Sequence, residues 1–305
     1  MNAESSRLRS TGTIDNDISA IWTDVVLIVY LGVTELVLLA GHARASMTGL
    51  VLHTLVLATF VAAAWLPTVP RWLRRWAPLI ALLFLYAELP MLASAAGRLR
   101  LYDGAVLRWE QALFGAQPSL TWATAAPSRI LGEVLHAGYL SYYAIIFVVP
   151  GILYLSRRLA DFDEAVFVLM ATFVTCFVWY IVFPVAGPRY VFASRVSGDG
   201  FFRHIVTAVL EARSSRGTAF PSSHVAVATA QSILAVRYFR GRGVAVACAT
   251  VLLACGAVYG GFHYAVDVLA GAVTGLVVTA LALIACRALR KRDRTDVLHV
   301  VAIRR

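Results

Sequence analysis

The chain reads as long apolar stretches broken by short polar turns. A hydrocarbon core about 30 Å thick needs about 20 apolar residues per helix. Eight stretches approach that length: residues 24–41, 48–66, 76–96, 131–155, 164–186, 221–239, 243–262 and 264–289. None alternates apolar and polar residues, so these are helices and not barrel strands. The pattern predicts an all-α integral membrane protein with about eight transmembrane helices. Arg7 and Arg9 before the first stretch, with Ala43-Arg44-Ala45 after it, imitate a signal peptide. The stretch is too long for one and contains Glu35, so it reads as a retained span.

Two loops are long. In the first, residues 103–115 place Val106, Trp109 and Leu113 on one helical face, opposite Arg108 and Glu110. That arrangement predicts a short helix lying in the membrane interface, and residues 201–212 repeat it with Phe202, Ile205 and Val209. The predicted organisation is a cytoplasmic N-terminal tail over 1–23 and an extra transmembrane hairpin over 24–75. A six-helix core over 76–289 and a basic cytoplasmic tail over 290–305 follow.

Composition agrees with this class. The chain of 305 residues is 60% hydrophobic and only 14% charged, against about 25% charged in soluble domains. Its formal net charge is +10, but the basic residues fall between apolar stretches and form no basic face, which excludes nucleic acid as a partner. Instead they set topology. With the N-terminus inside, Arg71, Arg74, Arg75, Arg157, Arg158, Arg237, Arg240 and Arg242 all fall in short cytoplasmic turns. Both termini are then cytoplasmic and the two long loops lie outside, in a multi-pass protein of the cell membrane. Those outer loops still carry many Arg residues, which topology does not explain. Cys176, Cys248, Cys255 and Cys286 sit in apolar runs without paired spacing and read as small hydrophobes.

Candidate chemistry gathers at the outer ends of the last three helices. Pro221 suits the first turn of a helix, and Ser222 and Ser223 follow it with hydroxyls and backbone N–H groups at a positive helix end suited to phosphate. His224 comes next. His263 and Asp267 are four apart and project from one helical face. That spacing lets the carboxylate hold one imidazole nitrogen and leave the other free for attack. Glu35 and Glu88 are ionisable residues inside spans, reading either as lining a polar cavity or as bonding a neighbouring helix. Gly256-x3-Gly260 and Gly271-x3-Gly275 predict close packing of the last two helices.

Pro221-Ser222-Ser223-His224 resembles Pro-Ser-Gly-His, the second signature of the type 2 phosphatidic acid phosphatase superfamily, and His263-x3-Asp267 resembles the end of its third. Two departures stand out. The Ser-Arg that opens the third signature is replaced by Gly256-Ala257. The first signature, Lys-x6-Arg-Pro, is absent, and Phe183-Pro184-Val185-Ala186-Gly187-Pro188-Arg189-Tyr190 takes its place. With the His263-Tyr264 pair, these departures resemble the inositol-phosphorylceramide synthase-like branch, which includes lipid phosphotransferases.

The resemblance implies that His263 attacks phosphorus to form a phosphohistidine, with Asp267 orienting its imidazole. His224 would protonate the departing oxygen and then deprotonate an incoming hydroxyl or water. Arg189 would neutralise phosphate charge, and Arg216 could replace the missing signature Arg. The expected substrate is a lipid phosphoester drawn from the membrane, the acceptor a polyol or water, and no metal or cofactor is called for. A simple phosphatase of phosphatidate or a polyprenyl phosphate stays open as an alternative. So do a transporter using Glu35 and Glu88, and a catalytically inactive scaffold.

Overall fold

The computed structural model describes residues 18–66, 69–97, 100–192, 200–213 and 215–303. Most of the N-terminal tail, with Arg7 and Arg9, lies outside the described residues. Helices α1 (Ile18–Ala40) and α2 (Met47–Trp65) form the N-terminal hairpin. Ser46 caps α2 by accepting the Gly49 N–H at 3.0 Å. Then come α3 (Arg71–Ala87), α4 (Leu89–Ala95), α5 (Asp103–Phe114) and α6 (Pro118–Ala125). These lead into α7 (Arg129–Leu140), α8 (Tyr142–Leu155) and the central α9 (Leu159–Val182). The last group is α10 (Pro188–Val191), α11 (Phe201–Arg213), α12 (Ser223–Phe239), α13 (Val244–Tyr259) and α14 (Ala265–Ile303). Among the described residues there is no strand, only an isolated bridge between Val185 and Thr218.

The fold class is therefore all-α, as the hydropathy pattern predicts. Among the described residues, five helical segments are long and apolar enough to cross a membrane, with residues 223–259 counted as one, or up to seven if each bent pair counts as one span. The stretch over 76–96, read above as one helix, is α3 and α4 bent by 53°. Pro90 in the first turn of α4 has no N–H to continue the α3 ladder. Likewise α7 and α8 meet at 43°, where the Ser141 hydroxyl donates to the Gly138 carbonyl at 2.6 Å and competes with the helix. Residues 223–259 are not one rod. Ser232 Oγ and Thr250 Oγ1 are 2.7 Å apart, whereas 18 residues of straight helix span about 27 Å. They fold back at Arg240–Gly243 as the hairpin of α12 and α13.

Helix α9 fills the centre, with Phe162, Val168, Leu169, Met170, Cys176 and Phe177 fully buried. The small-residue pairs work differently from the expectation. A Cβ on Gly271 or Gly275 would meet the Ser222 or Ala226 carbonyl oxygen at 2.4 or 2.2 Å, so they let α14 touch α12. A Cβ on Gly256 would meet the Leu135 carbonyl at 2.2 Å, so α13 approaches α7 and not α14 there. Both glutamates inside spans bond neighbouring helices. Glu88 Oε2 lies 2.6 Å from His53 Nδ1, and Glu35 accepts the Thr54 hydroxyl at 2.9 Å.

Candidate active site

The contact of α14 with α12 decides what meets at one end of the bundle. Ser222 is the N-cap of α12, and its Oγ accepts the Val225 N–H at 3.4 Å. Its own N–H donates to the Asp267 carbonyl at 3.0 Å, which ties the start of α12 to the start of α14. Tyr180 of α9 completes the joint: its hydroxyl donates to the Pro221 carbonyl and accepts the Ser223 N–H, each at 3.0 Å. Two histidines are brought together as a result. The rings of His224 and His263 lie with centroids 5.5 Å apart, edge to face.

His263 is buried and sits just before α14. Its Nδ1 lies 3.1 Å from the Ala219 carbonyl, to which it donates as N–H. The Asp267 carboxylate is 3.6 Å from the same nitrogen, beyond hydrogen-bond length, and its Oδ2 accepts the Tyr264 N–H at 2.8 Å. The Nδ1–H tautomer is therefore held mainly by a backbone carbonyl, with the carboxylate supplying charge alongside. That tautomer leaves Nε2 with a free lone pair. His224 packs against Tyr139 and Tyr142, at centroid distances of 5.1 and 4.2 Å. The Tyr139 hydroxyl lies 3.4 Å from its Nε2, and its buried Nδ1 has no partner among the described residues.

Arg189 arrives from α10, a single turn after α9. Gly187 before it has φ +91°, a conformation glycine adopts without strain, and a Cβ there would approach Ala219 at 3.1 Å. Pro188 then fixes the entry into α10. One guanidinium nitrogen of Arg189, Nη1, is buried without a partner among the described residues. Arg189, His224 and His263 all line one cleft, with about 390 Å³ of atom-free space partly open to solvent. Tyr86, Tyr139, Tyr190, Ser215, Thr218 and Ala219 are further lining residues.

Not every predicted residue lines that cleft. Ser222 and Ser223 stand behind it, and their backbone N–H groups are taken by Asp267 and Tyr180. The helix start that looked suited to phosphate thus spends these donors on holding α12 to α14 and α9. Arg216 is exposed and is not among the lining residues. Asp267 is fully buried behind His263. Among the described residues, no group of three or more His, Cys, Asp or Glu is placed to hold a metal ion.

Sequence reasoning missed three tyrosines and two acids. Tyr86, Tyr139 and Tyr142 come from α3, α7 and α8, and nothing local to them points to the histidines. The acids lie on α5, where Asp103, Val106 and Glu110 are buried together. Glu110, read above as facing outward opposite Val106, instead points inward and accepts the Ala265 N–H at 2.6 Å. The reason is that the first turn of α14 has an orphan N–H that needs an acceptor. Burial, with Asp267 nearby, pushes the Glu110 carboxyl up to about 7. The spacing of three and then four residues from Asp103 to Val106 to Glu110 is the signal that could have revealed this face.

No curated protein and no solved structure gives a significant match. A family model described as the PAP2 superfamily matches residues 104–281, which is more than half of the chain and spans Arg189, His224, His263 and Asp267. With apolar helices long enough to cross a bilayer, it marks a membrane protein of a phosphatase or phosphotransferase type. The chain belongs to the PAP2 superfamily.

Proposed function

We propose that this protein transfers or hydrolyses the phosphate of a lipid phosphoester through a phosphohistidine on His263, as in inositol-phosphorylceramide synthase-type phosphotransferases. The observation that carries the reading is the meeting, in one cleft, of two histidine rings with a guanidinium nitrogen that has no partner among the described residues. His263 Nε2 attacks phosphorus while its Nδ1–H stays on the Ala219 carbonyl. The P–O bond to the leaving group breaks, and His224 gives that oxygen a proton. His224 then takes the proton of an incoming hydroxyl or water, whose oxygen attacks the phosphohistidine and frees His263. Asp267 supplies negative charge beside the imidazole as it becomes cationic, and Arg189 neutralises the phosphoryl oxygens. Ser222 and Ser223 hold the helix start that carries His224, and Arg216 is left out because it stands outside the cleft.

The reaction class is tested by incubating the purified full chain with labelled lipid phosphates, with and without polyol acceptors. Label transferred to a polyol supports the phosphotransferase; inorganic phosphate alone supports a simple phosphatase. No release of either, or equal release by His263→Ala, overturns the reading.

The proposal places eight crossings, with the cleft on the extracytoplasmic face and both termini inside. In a chain freed of its four cysteines, Thr121→Cys and Ser156→Cys then label from outside and inside respectively in intact cells. Labelling of both from the same side contradicts that arrangement.

A further inference from the structure

Asp103 has no part in the chemistry above, yet its buried carboxylate accepts three donors at once. Oδ1 takes the Gly187 N–H at 2.9 Å and the Tyr264 hydroxyl at 3.0 Å, and Oδ2 takes the Ala186 N–H at 2.9 Å. The first and third of these donors belong to the turn that leads into Arg189. The second belongs to the residue after His263. We propose that Asp103 is a positioning residue for phosphoryl transfer, a buried brace that fixes the Arg189 turn against the segment carrying His263. This rests on the roles given above to Arg189 and His263.

Local structure explains why a brace is needed. Residues 186 and 187 lie between the end of α9 and the start of α10, outside any helix, and Gly187 takes a positive φ. Their N–H groups go to Asp103 instead of a backbone ladder. The same helix contributes twice. Tyr102, before Asp103, donates its N–H to the Pro184 carbonyl at 2.9 Å, and its ring stacks on Phe183 at 4.4 Å. Glu110, two turns on, holds the Ala265 N–H at the start of α14. Helix α5 therefore grips both sides of the cleft, and among the described residues Asp103 is the side chain on it that bonds both at once.

All three partners of Asp103 are donors, so the brace requires an acceptor-only group. Asn keeps the shape but turns an NH2 toward at least one donor. Tyr264→Phe removes the cross-link to the His263 side and leaves the turn intact. A small displacement of a phosphate clamp relative to a nucleophile acts on rate more than on lipid binding.

The test measures kcat, KM and orthovanadate binding for the detergent-solubilised full chain, its Asp103→Asn and Tyr264→Phe variants, and His263→Ala as control. Loss of the outer partner of a metal ligand typically costs about 10- to 100-fold, and the same scale is taken for the outer partner of a phosphate clamp. Asp103→Asn is expected to lose kcat on that scale, with KM within about threefold and vanadate binding weakened in parallel. Tyr264→Phe is expected to lose less, in the same direction, and it keeps the test alive if Asp103→Asn does not fold. Unchanged kcat per folded molecule in Tyr264→Phe, together with unchanged or unmeasurable Asp103→Asn, overturns the proposal. If wild type turns over no faster than His263→Ala, the catalytic assignment has failed instead. Vanadate binding then decides on Asp103 by itself, because normal affinity in both variants removes the brace.

Discussion

The two ends of the bundle treat buried charge in opposite ways. At the end where α9 begins, Asp163 is held by the Arg75 guanidinium at 2.9 and 3.1 Å, and Asp24 by Arg74 at 2.8 and 3.1 Å. Glu164 accepts the Tyr238 hydroxyl at 2.5 Å and faces Arg237 at 3.2 Å. At the end where α9 stops, Arg189 Nη1, His224 Nδ1, Glu110 Oε2 and Asp267 Oδ1 are buried without hydrogen-bond partners among the described residues. An unsatisfied buried polar group costs about 1–3 kcal/mol; where α9 begins, Glu164 Oε2 and Arg290 Nε and Nη2 also lack hydrogen bonds among the described residues, but there Glu164 and Arg290 face each other as an ion pair at 3.1 Å. On the function proposed above, the end with orphaned groups receives the phosphate, while the ion-paired end holds the bundle.

The largest expected effects should divide along this line. His263→Ala should lower turnover below detection with little change in Tm, since among the described residues the side chain makes one hydrogen bond, to Ala219. Asp163→Ala should do the reverse. It removes a buried carboxylate that the Arg75 guanidinium holds, and breaking such a pair typically costs about 3–5 kcal/mol of stability, while kcat per folded molecule stays near wild type. Thermal unfolding and turnover measured on both variants check the contrast. If the two lose stability equally, the division is wrong.

Arg189→Ala comes next. Removing a donor aimed at developing charge typically costs about 2–4 kcal/mol, read as the fall in kcat/KM. Lys has the charge without the planar fork, so Arg189→Lys should recover only part of it. Full recovery by Lys would mean that charge alone matters there.

The smallest effect concerns Glu110. Its folded pKa stands at about 7, above its ordinary 4.5, because burial disfavours the ionised form. The folded protein thus keeps a proton that the unfolded chain releases between those values. This contribution to stability is full below about pH 4.5, falls as pH rises to about 7 and is flat above. Glu110→Gln should reduce the difference in Tm between pH 5 and pH 8, and an unchanged difference would remove Glu110 as its source.

Much of the unpaired end was legible in the residue order. The His263-x3-Asp267 spacing and the run from Pro221 to His224 identified two of the helix starts that build it, and the family resemblance pointed to Arg189. What the order hid is tertiary. Ser222 and Ser223 look like phosphate donors because a helix start has orphan N–H groups, but those groups are satisfied by Asp267 and Tyr180. The bend at Glu88 was signalled by Pro90, yet the hydropathy of residues 76–96 runs through it unbroken. Asp103 and Glu110 were hidden because an acidic residue on a short amphipathic helix reads as outward-facing unless the donors opposite it are known. Those donors come from Ala186, Gly187, Tyr264 and Ala265, about 80 to 160 residues away along the chain.

The most direct test of the account is to trap the intermediate. Full-length protein turning over a lipid labelled with radioactive phosphate is quenched in alkali, and the attached label is mapped by peptide. A phosphohistidine survives alkali and is lost in acid. The account predicts an acid-labile, alkali-stable label on the peptide that contains His263, absent from His263→Ala and accumulating in His224→Ala when a phenolic leaving group needs no proton. Label that persists in His263→Ala, or that maps to His224, would contradict it.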